Sequence, residues 1–325
     1  MDRLVECVPN FSEGRRSDVI DAITTAAVGA VGAWLLDRTS DADHGRMVLT
    51  LAGRPEATAA AAASAARAAI EHIDMRSHTG AHPRIGAVDV VPFVPIGSTA
   101  MSECISLARS FGAALAAEHD LPVFLYGEAA TRADRRTLAD IRRPRFEGLA
   151  ASMARPGGEP DYGPAVPHPT AGATAVGARP YLIAFNIQLE SDDVSAARRI
   201  AVDVRESSGG LPRVQALGLY MEHLGCAQVS MNLLDHRVTP LWRAWEEVRR
   251  LAALEGIDLR DSELIGLIPA AALDEVAGHI GTAWTRSDAG RWTEAASWLK
   301  LRDYDPDVVL ESRLARLAAG VPPTG

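Results

Sequence analysis

Lysine is almost missing from this chain. Of 325 residues only Lys300 carries an ammonium side chain, so nearly every fixed positive charge is an arginine. That excludes Schiff-base chemistry unless Lys300 itself serves. Cysteine is scarce as well: Cys7, Cys104 and Cys226 are widely spaced, odd in number and without a CxxC pair. Neither a disulfide framework nor a thiolate zinc site is expected, and the three read as buried thiols in a reducing compartment. There is no basic surplus. A formal net charge of -9 leaves nothing to neutralise phosphates, which argues against generic nucleic-acid binding. No apolar run approaches membrane-spanning length, and Met1 to Glu6 lacks the basic start and apolar stretch of a signal peptide, so a cytoplasmic protein without membrane association is expected. What is present, 47% hydrophobic and 23% charged residues, suits a globular chain of about two domains.

Apolar periodicity and turn residues predict an α+β order. A strand over 4–8 ends at Pro9-Asn10-Phe11-Ser12-Glu13-Gly14, whose Ser12 is placed to cap a helix over 16–28. Paired strands follow over 33–37 and 47–52, then an alanine-dense helix over 55–73 and a strand over 88–96. Ser98 or Thr99 is expected to cap a helix reaching His119, and a strand over 123–126 closes the series. Strand, helix, two strands, helix, strand is a split βαβ core. Residues 131–169 hold Arg132, Arg135, Arg136, Arg142, Arg143, Arg145 and Arg155 and read as an irregular cationic connector between domains. The pattern then restarts as βαββαβ, a ferredoxin-like arrangement, with strands over 181–189, 213–221, 227–233 and 262–268. Its helices span 194–206, 240–254 and 270–279, and two tail helices are expected over 295–302 and 309–317.

Polar residues gather at strand-to-loop junctions, where a scaffold presents side chains to ligands. At the first, Asn10 and the loop amides suit ligand contact, while Ser12 and Glu13 equally suit a helix N-terminus. The second is Ser77-His78-Thr79-Gly80-Ala81-His82-Pro83-Arg84-Ile85-Gly86-Ala87-Val88-Asp89. His78 and His82 have the i, i+4 spacing of a helical metal pair, but Gly80 and Pro83 oppose a helix there. One working imidazole beside Arg84, or loop histidines satisfied by hydrogen bonds, are the other readings. The third, from Asp161 to Arg179, holds His168 between Pro167 and Pro169, and reads either as a rigid loop lining a pocket with amide donors or as a linker. Gly172 to Gly177 has phosphate-loop-like spacing but no following lysine and hydroxyl residue, which excludes a nucleoside triphosphate site. Arg179 suits a carboxylate or a surface ion pair. At the fourth, alternation places Gln228, Ser230 and Asn232 on one strand face, a pocket wall or a solvated sheet.

Several long segments in order, Leu4 to Gly14, His82 to Val90, Leu125 to Ala130, Gly172 to Thr174, Ala184 to Ile187 and Ala227 to Asp235, resemble the glutamate formimidoyltransferase (formiminotransferase) family over about the first 280 residues. The resemblance implies two consecutive α/β subdomains with a folate tunnel between them. They divide as 1–178, carrying the catalytic histidine, 179–283, ferredoxin-like, and a helical tail over 284–325, without a cyclodeaminase domain. It implies transfer of the formimino group of N-formimino-L-glutamate to N5 of tetrahydrofolate, a co-substrate, with no metal. It places the catalytic histidine on His82 and the folate loop on Gly163, Pro164, Ala165, Val166, Pro167, His168, Pro169, Thr170, Ala171 and Gly172. Asn10, Arg46, His78, Arg84 and Arg179 become candidate substrate or folate contacts. A homodimer and a separate cyclodeaminase partner are also implied. The chain departs from the family pattern in three places, one of them the folate loop, which reads Ala165-Val166-Pro167-His168-Pro169-Thr170, unlike the family sequence. Family members often read His-Lys-Gly-Glu-His-Pro-Arg where this chain has His78 to Arg84, with Thr79 and Ala81, and Asp-His-Asn-Arg where it has Asp43-His44-Gly45-Arg46. The alternatives are a related formyl- or formiminotransferase acting on another amino acid, and a non-catalytic folate-binding module.

Overall fold

The computed structural model describes residues 3–42, 44–80, 83–222, 224–282 and 287–320. The chain divides into two compact units, Met1–Pro180 and Tyr181–Gly325. In the first, β1 (Arg3–Cys7), β2 (Asn10–Phe11), α1 (Ser17–Val28), β3 (Ala33–Asp41), β4 (Arg46–Gly53), α2 (Pro55–His72) and β5 (Val88–Gly97) follow in order. Strands β1 and β2 are two pieces of one line: both lie antiparallel between β4 and β5. They are separated at Val8-Pro9, because proline has no N–H to give to a ladder. With β3 outside β4, this is the interleaved antiparallel order of a split βαβ pair.

Helix α2 explains its alanine density. Ala61, Ala62, Ala65, Ala66 and Ala69 are all buried, one face at helical spacing that lets the backbone pack close to its neighbours. The first unit then continues through α3 (Met101–His119), β6 (Val123–Gly127), α4 (Leu138–Arg142), α5 (Arg145–Met153) and β7 (Thr174–Ala178), with β7 parallel between β5 and β6.

Four expectations change here. Ser12 caps no helix: its hydroxyl donates to the Gly86 carbonyl at 2.7 Å, and the N–H groups of Gly14, Arg15 and Arg16 are taken by the Glu13 carboxylate. Neither Ser98 nor Thr99 caps α3, since Thr99 Oγ1 donates to the Leu4 carbonyl and the Glu103 carboxylate takes the N–H of Ala100. The arginine-rich stretch is not a connector between domains. It folds into α4 and α5, whose Ile141, Leu149 and Met153 bury against Phe124, Tyr126 and Ala175 of the first sheet. Four of its seven arginines pair with acids, among them Arg135 with Asp161 at 2.9 Å and Arg142 with Asp89. Finally, 174–178, read as loop, is a strand buried along its whole length.

The second unit runs β8 (Ile183–Leu189), α6 (Val194–Val204), β9 (Val214–Met221), β10 (Cys226–Leu233), α7 (Leu241–Leu254), β11 (Leu259–Ile265) and α8 (Ala270–His279). Its sheet order, β11-β8-β10-β9 and all antiparallel, is the expected ferredoxin-like one. Strand β11 starts and ends three residues earlier than expected. The tail helices are α9 (Asp288–Trp298) and α10 (Leu310–Ala318), the former also earlier than expected because Ser287 caps it. Trp292, Ala295, Leu299 and Val309 join the core that holds Phe185 and Trp245. Among the described residues no helix is long and apolar enough to cross a membrane.

Candidate active site

Beyond α2 the chain makes a tight turn. The Asp74 carboxylate accepts from the Arg76 N–H at 2.9 Å, Ser77 Oγ donates to the Asp74 carbonyl, and the Met75 N–H reaches the Thr170 carbonyl at 2.8 Å. This delivers His78 to the β3–β4 hairpin, where Gly45 sits at φ +61°. A Cβ on Gly45 would stand 2.8 Å from the Thr79 carbonyl oxygen and 2.9 Å from His78 Nε2, so glycine serves both the turn and the close approach.

Both ring nitrogens of His78 are engaged. Arg84 Nε donates to His78 Nδ1 at 3.0 Å, and Nε2 lies 2.9 Å from the Gly45 carbonyl oxygen. An arginine only donates, so Nδ1 is the acceptor and the proton belongs on Nε2. Burial lowers the affinity of His78 for a second proton; the bond to Gly45 acts the other way, and the Arg84 charge lowers it again. Arg84 is itself buried and closes on α5, its guanidinium giving two bonds to the Glu147 carboxylate at 2.7 and 3.2 Å.

Two recesses flank this assembly. A cleft of about 260 Å³ is bordered by Ser12, Glu13, Arg15, Gly45, Ser77, His78 and Thr79. A water-sized cavity of about 10 Å³ lies among Phe11, Ser12, Gly45, Arg46, Arg84 and Asp89. Asp89 is buried and accepts from the Ile85 N–H at 2.9 Å and from Arg142. Arg46 is pulled below its ordinary range by burial and by the Arg142 charge, with Asp89 and Asp41 acting in the opposite sense. Across the cleft mouth, Arg15 Nη1 donates to the Thr79 carbonyl and hydroxyl at 3.0 and 2.9 Å.

The loop from Gly163 to Gly172 joins the same region. It opens at Gly163, φ +82°, where a Cβ would meet the Leu121 carbonyl at 2.4 Å. Residues His168 and Gly172 exchange backbone hydrogen bonds at 2.8 and 3.0 Å, and His168 Nδ1 accepts from the Ala171 N–H at 3.0 Å. The Ala87 N–H then reaches the Ala171 carbonyl at 2.9 Å. Pro164, Ala165, Val166, Pro167 and Pro169 form the outer rim, of which Val166 is largely exposed.

Hydrogen bonding thus gathers His78, Arg84, Thr170, Ala171 and the Gly45-Arg46 turn. Arg179 stands apart. It follows β7 at the Phe93 end of β5, with its Nη1 on the Pro180 carbonyl, whereas the Gly86–Gly172 bridge lies at the other end. Seven residue steps, five of them in β7, separate Gly172 from Arg179, roughly 20 Å, though the Arg179 side chain reaches Tyr126, on which the Arg142 charge also acts. Asn10 lies between them on β2, its amide donating to the Val8 carbonyl at 2.9 Å. His82 lies outside the described residues, as do Ala81 and Asp43; the residues on either side, Gly80 and Pro83, are described. Among the described residues, no three His, Cys, Asp or Glu side chains gather as a metal site.

Sequence reasoning missed Glu147 and Arg142, the partners of Arg84 and Asp89. No spacing signals a pair 63 or 53 residues apart. In the second unit Gln228, Ser230 and Asn232 do share a face of β10. Gln228 and Asn186 both donate to Glu263, at 3.1 and 3.0 Å, and Arg302 pairs with the same carboxylate. That network is closed on itself.

Comparison with known proteins follows the same division of the chain. The family model described as "Formiminotransferase domain, N-terminal subdomain" matches residues 4–179, and the one described as "Formiminotransferase domain" matches residues 184–286. A glutamate formimidoyltransferase of Streptococcus pyogenes is 43% identical over 86% of this chain and 93% of its own. Another from Thermoplasma acidophilum is 39% identical over 97% and 98%. The formimidoyltransferase-cyclodeaminase of Rattus norvegicus is 46% identical over 85% of this chain, which covers 52% of that longer protein.

Proposed function

The chain belongs to the formiminotransferase family, and from that premise we propose that it is a glutamate formimidoyltransferase, moving the formimino group of N-formimino-L-glutamate to N5 of tetrahydrofolate. The observation that carries the reading is the docking of the 163–172 loop on Met75 and Ala87, on either side of the histidine segment. The folate loop and the segment bearing His82 are thereby joined through Met75 and Ala87.

Chemically, the lone pair of N5 attacks the formimino carbon to give a tetrahedral species. N5 loses its proton, the α-nitrogen of glutamate gains one, and the bond from carbon to that nitrogen breaks. The products are 5-formiminotetrahydrofolate and L-glutamate. In our reading His82 takes the first proton and returns it to the leaving nitrogen, worth about 10²- to 10⁴-fold as general acid–base catalysis. Arg46, beside the cleft, pairs with a substrate carboxylate, where the planar guanidinium suits bidentate recognition. His78 and Arg84 shape the wall, the 163–172 loop receives folate, and Asn10 and Arg179 line its far reach. The reading extends to a cytoplasmic homodimer, with a cyclodeaminase as the partner that consumes the product.

The test offers tetrahydrofolate with formiminoglutamate, formylglutamate and formiminoglycine in parallel. Turnover highest with formiminoglutamate is expected. Preference for either other donor would move the assignment to a related transferase, and tight folate binding without turnover would make the chain a binding module.

A further inference from the structure

We propose that Glu147, acting through Arg84, locks His78 as the neutral Nε2–H tautomer, so that His78 positions the Gly45 turn and exchanges no proton during turnover. The inference rests on the proposed transferase reading for its kinetic consequence, but the lock itself stands on geometry. Arg84 Nε points its N–H at His78 Nδ1, 3.0 Å away. A proton on Nδ1 would set donor against donor, so the cationic imidazole loses this bond as it forms. What keeps Arg84 there is the forked carboxylate of Glu147, which reaches it from α5 while Arg84 is itself buried.

The remaining charged groups facing His78 are Glu13 and Arg15, of opposite sign, in the turn before α1. His44, next to Gly45, is half-exposed and pairs with Asp41 at 2.8 Å. The Glu13 carboxylate is taken by the N–H groups of Gly14, Arg15 and Arg16 and by the Arg16 guanidinium, and the Arg15 guanidinium by Thr79. On the other side of the ring, Nε2–H holds the Gly45 carbonyl, and the next residue of that turn is Arg46. A chain of four groups, Glu147, Arg84, His78 and Gly45, therefore ties α5 to the hairpin that presents Arg46. His78 is a positioning residue in this account, and one of the two imidazoles singled out in the sequence is removed from the acid–base chemistry.

Long-range proton–nitrogen correlation spectra of the full chain with labelled histidine read the lock directly, with His78→Gln used to assign the ring. The expected result is a proton on Nε2 alone and a titration midpoint below the ordinary value of about 6.5, moving up toward that value in Glu147→Gln. In steady-state assays His78→Gln, whose amide can both donate to Gly45 and accept from Arg84, is expected to recover at least about tenfold of the kcat that His78→Leu loses. His78→Leu is expected to lose on the order of 100-fold in kcat with little change in KM, as a misplaced site does. A proton on Nδ1, a midpoint indifferent to Glu147→Gln, or a His78→Gln enzyme as slow as His78→Leu would overturn the proposal. Absence of formimino transfer by the unaltered chain would instead overturn the proposed function, and the spectra would still judge the lock.

Discussion

Glu13 is a charge spent on backbone. Burial works against its ionisation, but the N–H groups of Arg16 and Arg15 and the Arg16 guanidinium outweigh it and hold the carboxyl below the ordinary glutamate range. A folded-state value below the unfolded one means stability that is present at neutral pH and lost as pH falls through the folded value. Glu13→Gln is therefore expected to lower unfolding free energy by about 1–2 kcal/mol at pH 7. The deficit should vanish in acid, where the native residue is itself neutral. Denaturant unfolding of both proteins from pH 7 to pH 3 checks it, and a deficit independent of pH would contradict it. Glu13 was legible as a residue at a helix start; that it, rather than Ser12, takes the N–H groups was not, since Ser12 is drawn off by a carbonyl 74 residues away. The departures at Gly45 and Thr79 were also visible singly. Only the structure shows that they touch, a Cβ at position 45 being blocked by the Thr79 carbonyl.

At the scale of elements, strands β1, β8 and β10 and helices α2, α3 and α7 were readable from their apolar periods, and β5, though buried on both faces, from its run of large apolar residues between Val88 and Ile96. Strand β7 was not. Thr174-Ala175-Val176-Gly177-Ala178 is buried on both faces, so it shows no alternation, and its small residues resemble the loop before it. Helices α4 and α5 were masked by arginines, of which Arg142 finds its acidic partner, Asp89, elsewhere in the chain, while Glu147 of α5 pairs with the distant Arg84. The tightness with which the 163–172 loop docks is testable at Gly86. A Cβ there would meet the Ala173 and Ala171 carbonyls at 2.0 and 2.4 Å. Gly86→Ala should cost at least about 1–3 kcal/mol, whereas Gly278→Ala, inside α8 with open space around it, should gain about 0.5–1 kcal/mol. Chemical denaturation of the pair decides it, and a neutral Gly86→Ala would mean that the loop is not held as described.

For the whole molecule, the two units repeat one strand order while placing different chemistry on it. Asp89 and Arg84 line a recess in the first, whereas Glu263 gathers Gln228, Asn186 and Arg302 in the second. Both halves of that pattern were legible from periodicity, and the identity of the family from ordered motifs; the ion-pair wiring that decides which arginines are engaged was not. The central claim is that one imidazole, His82, moves both protons of formimino transfer. Its most direct test is His82→Ala, measured for turnover of formiminoglutamate with tetrahydrofolate and, on the same sample, for folate affinity. The account predicts turnover reduced by about 10²- to 10⁴-fold with folate affinity unchanged. A variant that binds folate normally and keeps most of its turnover would contradict it.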